Sequence, residues 1–400
     1  MFEHIDAYPG DPILSLNESF QLDPRTDKVN LSIGIYFDDE GRLPVMQAVA
    51  QAEAELMADM GPRPYLPMAG FAPYRDAVQA LVFGEQCQAR AGDRIATVQT
   101  LGGSGALRVG ADFLKRYFPD AQVWISDPSW ENHRVIFERT GFTVNTYPYY
   151  DDATGGLKFG AMLDALRTIP KRSIVLLHAC CHNPTGVDLD QDQWRELITL
   201  LKAQELLPFV DMAYQGFGAG LDDDAFAVRE LVAQGVPCLV ANSFSKNFSL
   251  YGERCGGLSV VCDSAEETGR VLGQLTGAVR ANYSNPPTHG ARVVARVLTT
   301  PALRTIWERE LAGKCERIAK MRVAIHKGLA AHVSGEALSR YLTQRGMFTY
   351  TGLTADQVDR LRNEHGVYLL RSGRMCVAGL NERNVAQVAG AIASVLARAA

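Results

Sequence analysis

The sequence predicts an α/β fold with a largely parallel sheet, helices on both of its faces, and a smaller α+β domain. Two observations carry the first part. Between about residues 48 and 295, short apolar runs alternate with amphipathic stretches. Glycine-rich or polar clusters follow several of those runs, where strands of a parallel sheet would end. The third observation is a change of character after about residue 301, toward long charged segments.

In order, residues 48–60 (AVAQAEAELMADM) are helical in composition, and 94–100 (RIATVQT) form a strand. Residues 105–118 (GALRVGADFLKRYF) place Leu107, Gly110 and Ala111, Leu114, and Tyr117 and Phe118 on one face, which predicts an amphipathic helix. Residues 123–126, 173–177, 206–210 and 238–242 are further strands, with helices at 191–204 and 225–233 between them. Beyond 301, a charged helix-favouring stretch (303–329) leads to glycine-bounded residues 346–352 and a final strand–helix unit ending at 400. The expected domains are an N-terminal arm and part of the small domain (1–45), a large domain (46–300) and a small C-terminal domain (301–400).

Composition limits the function. At 400 residues the chain is too long for one ordinary core, and 47% apolar with 21% charged residues marks a well-packed globular protein. A net charge of -5 gives no basic footprint for nucleic acid. No apolar run is long enough to span a bilayer, and residues 1–13 lack a basic start followed by an apolar run, so neither membrane nor signal peptide is expected. Eight cysteines without framework spacing predict free thiols in a reducing cytoplasm.

The chemistry lies after the strands. Leu101-Gly102-Gly103-Ser104-Gly105 follows the first and opens a helix, where glycines and free N–H groups suit a phosphate. It lacks the third glycine of a dinucleotide fingerprint and the lysine of a P-loop. It nearly matches a hydrolase nucleophile elbow at Ser104, which stays open at this point. His178-Ala179-Cys180-Cys181-His182-Asn183 follows the strand at 173–177; adjacent cysteines chelate one ion poorly, so no metal is expected. Asp211 and Tyr214 follow 206–210, and a carboxylate there needs a positive or proton-donating partner. Ser243, Ser245, Lys246 and Arg254 follow 238–242, two hydroxyls, an amine and a guanidinium that suit phosphate binding and capture of an aldehyde. Together these groups supply what pyridoxal phosphate needs: a phosphate anchor, a carboxylate for the ring nitrogen, donors for the ring oxygen and an amine for the aldehyde. A hydrolase explains Ser104 alone.

At this point the sequence resembles, over nearly its whole length, the class I, fold-type I aminotransferases of the aspartate/aromatic subgroup. The carrying segments are NLSIG (30–34), YLPMAG (65–70), QTLGGSGA (99–106), SDPSWENH (126–133), CHNPTG (181–186), DMAYQGF (211–217), SFSKNFSLYGERCGG (243–257), RANYSNPP (280–287) and RMCVAG (374–379). The LGGSGALRVGADFLKRYFP and SWENH stretches look most like bacterial aromatic-amino-acid (tyrosine) aminotransferases. The resemblance implies a mostly parallel, seven-stranded-type sheet, pyridoxal phosphate as cofactor, and a homodimer with shared active sites.

It also implies roles. Lys246 would hold the cofactor as a Schiff base and carry the substrate proton. Asp211 would keep the ring nitrogen protonated, with His133 and His178 behind it. Tyr214 and Asn183 would bond the ring oxygen and Trp130 would stack on the ring. Gly103, Ser104, Ser243, Ser245 and Arg254 would bind phosphate, joined by Tyr65 of a neighbouring subunit. Arg374, with Asn183 and Gly34, would clamp the substrate α-carboxylate, and Arg280 from the neighbour would meet a distal carboxylate. The implied reaction is ping-pong transamination of tyrosine and phenylalanine, and of aspartate, with 2-oxoglutarate; an aspartate-specific enzyme is the alternative. Ala179 and Cys255 depart from residues frequent in relatives, and Asn247 is common in aspartate-specific ones.

Overall fold

The computed structural model describes residues 1–8, 10–59, 61–332 and 336–397. They form two compact units, one of Met1–Leu43, Asp152–Gly155 and Ile318–Ala400, the other of Pro44–Asp151 and Gly156–Arg317.

The larger unit begins with helices α1 (Gln47–Ala58) and α2 (Ala72–Phe83). The expected end of α1 at Met60 lies outside the described residues. Seven strands follow: β1 (Ile95–Leu101), β2 (Val123–Asp127), β3 (Val144–Pro148), β4 (Ile174–His178), β5 (Leu207–Met212), β6 (Cys238–Ser243) and β7 (Cys255–Val261). They make one sheet in the order β1-β7-β6-β5-β4-β2-β3. Strand β7 runs antiparallel to both neighbours; the other pairs are parallel. This is the mostly parallel, helix-flanked α/β fold that the sequence predicts. The intervening helices include α3 (Gly102–Tyr117), α4 (Glu131–Arg139), α5 (Gln191–Ala203) and α6 (Phe226–Ala233), with a shorter one at Phe159–Leu166; α7 (Ala265–Asn282) follows β7.

Central strands β4 to β6 are buried throughout except at the first residue of β5, which is why they read as continuous apolar runs. Pro208 is tolerated in β5 because pairing with β6 begins only at Phe209. Helix α3 lays Ala106, Leu107, Val109, Gly110, Phe113 and Leu114 on the core. Gly110 is required there: a Cβ would stand 2.5 Å from the Phe209 ring.

Helix α8 (Pro301–Ala330) starts in this unit, and its residues from Ile318 belong to the other. The compact units therefore part inside one helix rather than at its start near 301.

In the smaller unit, Val29–Asn30 pairs in parallel with Val367–Tyr368, and Phe348–Tyr350 pairs antiparallel with Arg374–Cys376. Helix Ala355–His365 has a full capping box between Thr354 and Gln357 and ends at left-handed Gly366. Arg322 is buried and donates to Thr349 Oγ1 (2.6 Å) and to the carbonyls of Gly346 (2.9 Å) and Phe348 (2.6 Å), fixing the Phe348–Tyr350 strand. None of the described helices is long and apolar enough to cross a membrane.

Candidate active site

The C-terminal ends of β1, β4, β5 and β6 lie along one edge of the sheet. Register places His178 beside Asp211, and Met212 beside Asn242. Because β7 is antiparallel, its first residues reach the same edge: Cys255 pairs with Leu101, and Gly256 with both Thr100 and Ser243. This brings Arg254, just before β7, to the start of α3, where its carbonyl accepts from Gly102 N–H at 2.9 Å.

At the Asp211 end, hydrogen bonds run in a single direction. His133 Nε2 lies 2.8 Å from Asp211 Oδ2, and an ionised carboxylate only accepts, so the ring donates. His133 Nδ1 then accepts from Ser129 Oγ at 2.9 Å. Ser129 Oγ in turn faces His178 Nε2 at 3.5 Å, and His178 Nδ1 accepts Asn183 N–H at 3.2 Å. The chain Asn183–His178–Ser129–His133–Asp211 thus assigns both rings the Nε2–H tautomer.

Burial pushes His178 down to about 3, so it is neutral at ordinary pH. His182 is lowered well below the usual range, first by burial; it stacks on Tyr149 at 4.0 Å and bonds Ser126 and Thr185. Burial by itself would raise Asp211, but the His133 hydrogen bond and the nearby Lys246 amine act the other way, and its pKa is lowered. Asp211 is therefore a carboxylate held ionised and aimed from behind.

Trp130 sits at the N-cap of α4, edge-on to His133 at 5.1 Å. Lys246 Nζ lies over the Tyr214 ring, 5.2 Å from its centre. Ser243 Oγ and Ser245 Oγ are 3.2 Å apart, and Arg254 Nη1 reaches Ser245 Oγ at 3.4 Å. Gly102 to Ser104 form the first turn of α3, whose N–H groups have no acceptor within the helix.

These residues fit pyridoxal phosphate. A Cβ on Gly102 would meet Arg254 Nη2 at 2.6 Å, and one on Gly103 would meet Ser243 Cβ at 3.3 Å, so glycines keep the cradle open between guanidinium, hydroxyls and helix terminus. That donor set is chemistry for a dianion. The carboxylate, phenol and amine match the ring nitrogen, ring oxygen and aldehyde.

In the smaller unit, Arg374 is 1% exposed, faces the Phe348 ring at 4.4 Å and donates to the Ser32 carbonyl at 2.8 Å. Gly34 packs on the same Phe348 ring, where a Cβ would stand 2.9 Å away. Tyr65 and Arg280 are not among the bonded groups of the strand edge. Tyr65 is 90% exposed, and Arg280, exposed at the end of α7, donates to Ser284 Oγ at 2.5 Å.

Sequence reasoning misses Ser129, the link between the two histidines. Its one signal is its place in SDPSWENH, one turn before His133. Ser104 is an ordinary helical residue inside α3, without the strained backbone of a nucleophile elbow. Cys180, Cys181 and Asp224 come within 4.8 Å of one another. However, Asp224 already accepts N–H bonds from Gly216 (2.8 Å), Gly218 (2.9 Å) and Ala219 (2.8 Å). Cys181 is lowered by its bond with Cys180, but burial and the carboxylates of Asp224 and Asp188 together raise it to about 12, so it presents a protonated thiol.

Comparison with known proteins agrees with this geometry. The aromatic-amino-acid aminotransferase of Escherichia coli (strain K12) is 58% identical over 397 residues, covering 99% of this chain and 100% of that protein. A crystal structure of an aromatic amino acid aminotransferase from Burkholderia cenocepacia superposes with a TM-score of 0.96 at 75% identity, over 99% of both chains. An aromatic-amino-acid aminotransferase from Burkholderia pseudomallei, covalently bound to pyridoxal phosphate, gives 0.96 at 50% identity, also over 99% of both. Residues 26–392 match the family described as aminotransferase class I and II, and the chain belongs to that family.

Proposed function

We propose that this chain is a pyridoxal-phosphate-dependent aminotransferase acting on tyrosine, phenylalanine and aspartate, with 2-oxoglutarate as amino acceptor. The observation that carries the reading is the directed hydrogen-bond chain ending on Asp211, at the same strand edge as Lys246 and the phosphate cradle. When bound, pyridoxal phosphate supplies an aldehyde that condenses with amines and a ring that accepts the electron pair of the breaking Cα–H bond.

The chain's own groups do the rest. Lys246 takes the proton from substrate Cα and returns it on the other side of the reaction. Asp211, held ionised, keeps a proton on the ring nitrogen. Tyr214 and Asn183 donate to the ring oxygen, and Trp130 covers the ring face. Gly103, Ser104, Ser243, Ser245 and Arg254 bind the phosphate. Arg374 and Gly34 bind the α-carboxylate, for which the planar guanidinium offers two parallel N–H donors. One amino acid leaves as its oxo acid before the second substrate enters, a ping-pong order. Tyr65 and Arg280, exposed on this chain, serve the site of a second copy in a homodimer. The eight free cysteines suit a cytoplasmic location.

Arg280 is the observation that favours aspartate, since a guanidinium pairs with a distal carboxylate. An aromatic side chain requires it to turn aside or to stack. Initial rates with phenylalanine, tyrosine and aspartate against 2-oxoglutarate test the reading. Turnover of all three is expected; turnover of aspartate alone would leave an aspartate-specific enzyme.

A further inference from the structure

The turn that carries Lys246 is fastened to helix α8 by two side chains with no part in the chemistry above. Trp307 Nε1 donates to the Asn247 carbonyl at 2.9 Å, and Lys314 Nζ donates to Ser249 Oγ at 2.6 Å. The two lie two turns apart on one face of the same helix. Trp307 is fully buried and stacks on Phe248 at 4.8 Å; Phe248 packs edge-on against Phe244 at 5.2 Å. An aromatic column therefore supports the chain on both sides of Lys246.

The turn itself is strained. Ser249 has φ 56, a left-handed conformation unfavourable to a residue with a side chain, and its N–H closes onto the Lys246 carbonyl at 3.1 Å. Asn247 Nδ2 reaches the carbonyl of Gln215, next to Tyr214, at 3.3 Å. Lys314 is 6% exposed, and burial pushes its amine down to about 8 against the opposing influence of Glu310. An amine buried so deeply is a destabilising choice that an apolar residue would avoid, and the group it holds is the turn behind Lys246.

We propose that Trp307 and Lys314 are positioning residues that hold the 246–249 turn so that the Lys246 amine stays aligned on the substrate Cα proton. The proposal rests on the reading of Lys246 given above. Release of the turn would leave the phosphate- and carboxylate-binding residues in place, so substrate binding persists while proton transfer slows.

The test uses enzyme saturated with pyridoxal phosphate. Trp307→Phe keeps the stack on Phe248 and removes the donor; Lys314→Met keeps length and removes the donor; Lys314→Arg restores a charged donor. The proposal expects kcat to fall about five- to tenfold in Trp307→Phe and Lys314→Met, the loss of roughly one hydrogen bond, with KM little changed. The deuterium isotope effect with Cα-deuterated phenylalanine should rise, and Lys314→Arg should recover most of kcat. Unchanged kcat and isotope effect in the two donor-deleted variants, or a loss carried by KM, would overturn it. If Lys314→Met fails to fold, Trp307→Phe decides by the same readouts. Failure of the Lys246 reading is separate: Lys246→Ala would then keep the turnover of the unaltered enzyme.

Discussion

At the Asp211 end of the strand edge, the polar groups are bonded to one another through a chain that begins at Asn183 and passes through the rings of His178 and His133. At the Arg254 end, two hydroxyls and a guanidinium meet at 3.2–3.4 Å beside a helix terminus. The first end is preorganised by the protein itself, so its effect is electrostatic and present before any ligand arrives. The second gathers positive charge and donors whose natural partner is an anion. Substitutions at the first end should therefore act on rate, and those at the second on cofactor affinity.

The largest effect expected from this contrast is at Asp211. Asp211→Asn should lower kcat by about 10²–10³-fold, the scale for a lost preorganised charge, with the cofactor still bound. Single-turnover kinetics on loaded enzyme would show it, and a loss confined to cofactor affinity would erase the contrast. Arg254→Gln should do the reverse. Equilibrium dialysis should show pyridoxal phosphate bound about 10–100-fold more weakly, the value of a charge-assisted bond, with kcat of saturated enzyme within a fewfold of normal.

The smallest effect expected concerns the buried neutral ring of His178. Folded His178 resists protonation until about pH 3, whereas the unfolded chain takes up that proton near the ordinary value of 6.5. Between those values the unfolded state binds more protons, so stability falls as pH drops below 6.5. His178→Gln should remove up to about 2 kcal/mol of the stability lost between pH 6.5 and 5, while His182 keeps its own share. Urea unfolding at a series of pH values measures this; an unaltered acid slope would mean the ring carries charge in the folded state.

Much of the fold and site is legible in the sequence because central strands β4, β5 and β6 are buried on both faces and end in chemically distinctive residues. Two strands give no such signal. Strand β3 (VNTYP) lies at the sheet edge with mixed burial, and β7 (CGGLSVV) begins with a cysteine and two glycines. Sequence pattern alone starts α3 at 105 because Gly-Gly-Ser-Gly disfavours helix; tertiary contact with Arg254 starts it at Gly102. Ser129 stays hidden because a serine among polar residues has no periodicity, and its meaning comes from two histidines on different elements.

Every role assigned along the strand edge depends on capture of the cofactor by the amine of Lys246. Borohydride reduction of the purified protein with pyridoxal phosphate, followed by peptide mass mapping, tests it most directly. A stable phosphopyridoxyl group is expected on Lys246, and none when a substrate amino acid is added first. Labelling of another lysine in place of Lys246, or of none, would contradict it.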